Sequence, residues 1–313
     1  MTRAPFLLLV VLPLVWCAAA GAAGADEPGQ ARIVATIDGE AIREAEVIRA
    51  AEAAVRGREP TVGQRRVLLE ATLDQVIDRR LILRRLVRTG EAASGADVDF
   101  ALAQLEKELA ARDATLAERA ERSGTTLADV RHALHWQLSW QKYLDRHLTE
   151  ANFEKYYLAN RRDFDGTRLK VAHILFKASA DDATALANAG AKADEVRGQI
   201  VAGKLSFAQA AAQHSAGPSA QSGGDLGWIE RHEPMPAAFS EAAFALQPGE
   251  ISPPVATSFG VHLVQVQEVK AGTRTWQEAA GELKPATARY LFRWLADKER
   301  ATATVERVGT WPE

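Results

Sequence analysis

Cysteine is all but missing from this chain of 313 residues, and the single thiol, Cys17, lies in its first 25. Once that segment is removed no disulfide, thiol redox chemistry or cysteine nucleophile remains. Long apolar runs are missing too. The longest candidate, Phe6–Val15, falls short of the ~20 residues that span a bilayer. There is no dense basic run: 38 basic residues are spread along the chain against 41 acidic ones, for a net charge of −3. That balance gives no electrostatic case for nucleic acid or for an anionic membrane surface. No His-Glu-x-x-His motif is present, which argues against a metal site. Gly223-Gly-Asp-Leu-Gly227 has neither the phosphate-loop lysine nor the dinucleotide-binding spacing.

What is present is an ordinary globular composition, 47% apolar and 25% charged, over a length that suggests about two domains. Residues 1–25 read as a cleaved secretory signal: Arg3, an apolar stretch, then Ala23-Gly-Ala25 before Asp26. Trp16 is too bulky for the position before a lipidated cysteine, so cleavage is expected near Ala25. The mature chain is then expected in the periplasm or otherwise outside the cytoplasm, with no stable membrane insertion.

Ile33-Val-Ala-Thr-Ile37 is a short β-prone run, and Asp38-Gly39 is a tight-turn signal. Thr61-x-x-Gln64 opens a helix with Leu69, Leu73, Val76, Ile77 and Leu83 on one face, closed by Gly90. Val98, Leu102, Leu105 and Leu109 give a second helix. Thr115-x-x-Glu118 caps a third, and Leu127, Val130, Leu134 and Leu138 mark a fourth running toward Leu148. Phe153, Tyr156 and Tyr157 share a face leading to Asn160. Further on, Leu169–Lys177 and Val261–Val269 read as strands and 182–202 as a helix ended by Gly203. Ser206 caps a short helix through His214. Thr275-x-x-Glu278 is another capping box, Pro285 is expected to interrupt the helix that follows, and Leu291, Trp294 and Leu295 form a face before a β-like Thr304–Val308.

Between Val171 and Val269 stand Val171-Ala-His-Ile-Leu-Phe, Leu205-Ser-Phe-Ala-Gln-Ala, His214-Ser-Ala-Gly-Pro-Ser-Ala and Gly223-Gly-Asp-Leu-Gly-Trp. Met235-Pro-Ala-Ala-Phe239, Phe244-Ala-Leu-Gln-Pro-Gly249, Ile251-Ser-Pro-Pro-Val and Phe259-Gly-Val-His262 follow. In this order and spacing they resemble the parvulin family of peptidyl-prolyl cis/trans isomerases. A helical region, one parvulin-like segment and a closing helix together resemble extracytoplasmic foldases of the SurA and PrsA type. The resemblance implies an α+β fold: a parvulin domain, with a small antiparallel sheet and flanking helices, at 168–270. A mostly α-helical chaperone-like domain would be built from 29–165, completed by the C-terminal helix of 274–313.

The residues themselves say something of the chemistry. His173 alternates with Val171 and Leu175, and His262 with Val264 and Val266, so each histidine shares a strand face with aliphatics. A structural pair and a catalytic pair are both compatible with that placement. Leu226, Met235 and Phe239 are equally compatible with plain core. The resemblance implies that His173 and His262 are the central catalytic histidines and that Leu226, Met235 and Phe239 line a proline slot. It places Phe259 on the slot's wall, Thr257 nearby and Ser215 beside the substrate, with no cofactor and no metal. Parvulins commonly carry Cys or Asp two residues after the serine matching Ser215, whereas this chain has Gly217. Asp225 reads as a turn residue.

Unaided X-Pro rotation faces a barrier of ~18–20 kcal/mol. The resemblance therefore implies an isomerase and foldase acting on X-Pro bonds of exported, unfolded proteins, its activity weakened by Gly217. Lys177–Asp182 is not basic, so no phosphate requirement is expected. A periplasmic chaperone whose parvulin domain only binds peptide is the alternative, and a partner dedicated to one export system is a third.

Overall fold

The computed structural model describes residues 32–55, 60–180, 182–308 and 311. The expected signal segment and its cleavage site lie outside the described residues. The chain runs β1 (Ile33–Ile37), β2 (Glu40–Arg43), α1 (Glu44–Val55), α2 (Val62–Arg88), α3 (Gly95–Ala110), α4 (Leu116–Arg122) and α5 (Leu127–His147). It continues through α6 (Glu150–Ala159), α7 (Arg161–Phe164), β3 (Arg168–Lys177), α8 (Ala183–Val201), α9 (Phe207–His214), β4 (Asp225–Ile229) and α10 (Ala237–Phe244). β5 (Val255–Thr257), β6 (Gly260–Lys270), α11 (Ala280–Arg300) and β7 (Val305–Arg307) complete it. Among the described residues no helix is long and apolar enough to cross a membrane.

Two compact units form, one from residues up to Gly90 together with those from Leu295 onward, the other from Glu91 to Trp294. These bounds differ from the expected 29–165 and 274–313: α3 to α7 and the first part of α11 belong to the second unit. In the first unit, Asp38 and Gly39 both take positive φ, as a tight hairpin turn requires, and β1 pairs antiparallel with β2. Its other edge is taken by β7, with Ala35 opposite Arg307 and Ile37 opposite Val305. Val34, Ile37, Ile42, Val47, Leu69, Leu73 and Ile77 pack into one core. The end of α11 is tied to α2 by charge: Glu299, only 6% exposed, accepts from Arg85 and Arg88, and Arg300 reaches Asp74 and Asp78.

In the second unit the sheet order is β4-β3-β6-β5, antiparallel throughout. Alternation explains why β3 reads as a near-continuous apolar run, since both its faces are covered. Ala172, Ile174 and Phe176 pack with α8 and α9, while Leu169 and Val171 pack with α10 through Phe239, Ala243 and Phe244. Pro285 lies inside α11 and does not interrupt it. Gly281 and Pro285 are both exposed, so water can satisfy the carbonyl that loses its donor. Leu283 and Ala286, buried with Tyr157 and Phe164, hold the helix on course. Of the expected α11 face, Leu295 is fully buried while Trp294 stays 40% exposed.

Candidate active site

The site is built on the middle of β3 and the start of β6. In the ladder His173 stands opposite Val264 and His262 opposite Leu175, so the two histidines are diagonal neighbours on one face. That spacing lets long side chains meet, and their Nδ1 atoms lie 3.2 Å apart with the rings stacked at 5.4 Å. Both are buried, at 7% and 5% exposure. Phe239, projecting from α10, presents edge contacts to His173 at 6.0 Å and to His262 at 5.4 Å.

Thr257 extends the polar chain. Its Oγ1 lies 2.8 Å from His262 Nε2 and accepts the Phe259 N–H at 3.1 Å, with the Gly260 carbonyl a longer 3.4 Å away. A hydroxyl has one proton to give. Given to His262 Nε2, it sets the His262 proton on Nδ1, facing His173 Nδ1, and the His173 proton on Nε2; given to the Gly260 carbonyl, it reverses both bonds and leaves His173 Nε2 an acceptor. That Nε2 atom is buried without a protein partner among the described residues. Burial pushes the His173 pKa down; burial, and then the neighbouring His173, push His262 down to about 4. Both rings are neutral at pH 7.

Gly217 lies against the unpartnered nitrogen. A Cβ built on it would stand 3.0 Å from His173 Nε2 and 3.3 Å from Ser215 Oγ, and its φ lies outside the left-handed region. Ser215 is occupied structurally, its Oγ accepting from the Leu175 N–H at 3.0 Å and the Gly217 N–H at 3.2 Å. Gly224 has the opposite character. It takes φ +82°, its carbonyl accepts the His173 N–H at 2.8 Å, and a Cβ there would fall 2.3 Å from the His173 carbonyl. Glycine alone fits.

Of the expected slot residues, Leu226 and Met235 are half-buried and pack on the cluster that contains Phe239. Phe239 itself is 1% exposed, a floor beneath the histidines more than an open wall. Phe259 projects at 60% exposure on the rim. Asp225 begins β4 and its Oδ1 accepts the Gly227 N–H at 2.8 Å, which suits the turn role read from sequence. Sequence reasoning missed Gly224 as a residue that fixes His173, although the glycine pair preceding Asp225 was the available signal. Among the described residues no group of three or more His, Cys, Asp or Glu side chains is placed to hold a metal ion.

Residues 173–268 match the Rotamase family, described as the PPIC-type PPIASE domain. The chain is 28% identical over 260 residues to the chaperone SurA of Alkalilimnicola ehrlichii, covering 80% of this chain and 60% of that protein. It is 24% identical over 290 residues to SurA of Xanthomonas axonopodis pv. citri, covering 89% and 61%. It thus spans about three-fifths of the length of these curated relatives. Among solved structures, the peptidylprolyl isomerase PrsA from Bacillus anthracis aligns with a TM-score of 0.37 at 22% identity, over 73% of this chain and 95% of that one. Residues 173–268 thus match a parvulin domain of the PPIC type, and most of the chain is similar in sequence to SurA chaperones.

Proposed function

We propose that this protein is an extracytoplasmic foldase whose parvulin domain isomerises X-Pro bonds in unfolded, exported polypeptides. The observation that carries the reading is the Thr257–His262–His173 hydrogen-bonded chain laid over Phe239, beside half-buried Leu226 and Met235. Isomerisation needs no covalent step, only tighter binding of the twisted imide than of either planar form. An apolar slot dehydrates the proline ring, and two neutral imidazoles held in one hydrogen-bonded chain supply preorganised dipoles instead of charge. An acceleration of ~10⁴–10⁵-fold needs about 5–7 kcal/mol, within reach of such a site. His173 and His262 act as the catalytic pair, with Leu226, Met235, Phe259 and Thr257 contacting or framing the substrate and Ser215 bracing the adjoining loop. The helices from α3 to α7, with residues 29–90 and the C-terminal segment, serve as the chaperone part.

A protease-free isomerisation assay on a proline tetrapeptide tests the reading, with the full chain accelerating exchange and Met235→Asp abolishing it. Phe239→Ala is the poorer probe, because emptying a fully buried ring site costs about 3–5 kcal/mol and endangers the fold. No catalysis by the unmodified chain, together with retained peptide binding, would establish the second reading, a chaperone that only binds. That reading draws on Gly217, which leaves His173 Nε2 without a polar neighbour from the loop.

A further inference from the structure

The wall of the proline slot is held from outside the parvulin sheet by the four-residue helix α7. Two neighbouring residues of that helix grip both flanks of α10, the helix that carries Phe239. Ahead of α10, Asp163 forms an ion pair with Arg231 at 3.3 Å, and Arg231 sits in the loop that leads to Met235. The Arg231 side chain is only 18% exposed, so the pair is less screened than a surface pair. Beyond α10, Arg162 donates through Nη1 to the Leu246 carbonyl and lays its guanidinium 5.8 Å over the Phe244 ring. The same loop has a further tie, with His232 6.2 Å from the Phe164 ring and 3.7 Å from Glu282.

We infer that Arg162 and Asp163 are positioning residues for the isomerase slot. Through them the helices that precede the parvulin domain set the place of Met235 and Phe239, and so the fit of the substrate proline. The inference rests on the proposed peptide-binding role of that slot, but its test does not require turnover. A ligand site formed by two elements with separate anchors loses fit when one anchor is released, and losses of that kind appear as weakened ground-state binding.

The chain has two methionines, Met1 and Met235. A full chain labelled with ¹³C-methyl methionine therefore reports Met235 by one resonance, identified with Met235→Leu. Asp163→Asn and Arg231→Gln should each shift and broaden that resonance, and the exchanged pair Asp163→Arg with Arg231→Asp should return it. For the proline tetrapeptide KM should rise about fivefold in the single variants with kcat nearly unchanged, and recover in the exchanged pair. If a single variant fails to fold, the exchanged pair decides: a restored Met235 signal supports the bracket, and an unrestored one overturns it. An unmoved Met235 signal in both folded single variants also overturns it. An inactive unmodified chain would refute the isomerase reading while the Met235 resonance still decides this one.

Discussion

His262 is held neutral by its surroundings, and the consequence can be measured. The folded-state pKa values of both histidines lie below the ordinary 6.5, with that of His262 near 4, so the unfolded chain takes up protons more readily than the native one. The stability tied to the neutral pair is therefore complete above about pH 6.5 and is lost as pH falls toward about 4. In an NMR titration the His262 imidazole should keep its neutral shifts down to about pH 5, and a midpoint between 6 and 7 would contradict the burial argument. At Gly217 the backbone accepts a side chain, but His173 must yield by a few tenths of an ångström to admit one. With the His173 proton on Nε2, Gly217→Asp gives that buried atom an acceptor, and kcat/KM on a proline peptide should rise about tenfold, worth about 1.4 kcal/mol. Gly217→Ala brings the crowding without the acceptor and should lower it. The facing of both histidines was legible in the alternation of Val171-Ala-His and His262-Leu-Val. The role of Ser215 as a double backbone acceptor was not, because it depends on a loop meeting β3 from some 40 residues away.

At the scale of elements, local chemistry was read most directly at helix starts. The boxes at Thr61/Gln64 and Thr115/Glu118 close in both directions, as does Thr275/Glu278 in the turn ahead of α11, and Ser206, read as a cap, closes a box with Gln209. Ser94/Asp97 and Thr126/Asp129 close as well, with aspartate replacing the longer acid at the third position, so the usual Glu/Gln signature overlooks them. Strands β4 and β5 escaped notice for a different reason. β4 is only five residues long and contains Gly227 at φ +70°, which breaks the alternation by which strands are recognised, and β5 has three residues. Pro285 misled because a proline stops a helix only when the freed carbonyl has no water and the flanking faces have no partner. Gly224, just ahead of β4, is packed directly against the His173 backbone. Gly224→Ala would set a Cβ into the His173 backbone at a positive φ, and it should cost roughly 3 kcal/mol or more in chemical denaturation of the parvulin domain.

For the molecule as a whole, the stretch from Val171 to Val269 lies inside one of the two units, and motif spacing there marked β3, α8, α9 and β6 while passing over β4, α10 and β5. The division of the helices between units was not legible. α11 carries one uninterrupted helical pattern, yet Leu283 and Ala286 pack with Tyr157 and Phe164 while Glu299 and Arg300 answer to α2. Periodicity reports that a face is apolar and is silent on which neighbour covers it. Truncation after Trp294 should therefore lower the melting temperature of the first unit, by removing β7 and the partners of Arg85, Asp74 and Asp78. The parvulin-domain transition should remain, and two-transition calorimetry separates the outcomes. Were the first transition unmoved, the charged ties and the third strand would be dispensable. The pairing of β1 with β7 also orders events in time. Ala35 waits for Arg307, roughly 270 residues downstream, and joining ends that far apart in a flexible chain costs about 5 kcal/mol. The parvulin domain, lying wholly between them, is synthesised and can fold first, which removes most of that slack. The first sheet thus lacks its third strand, and stays open at one edge, until the parvulin domain that lies between its strands has been made.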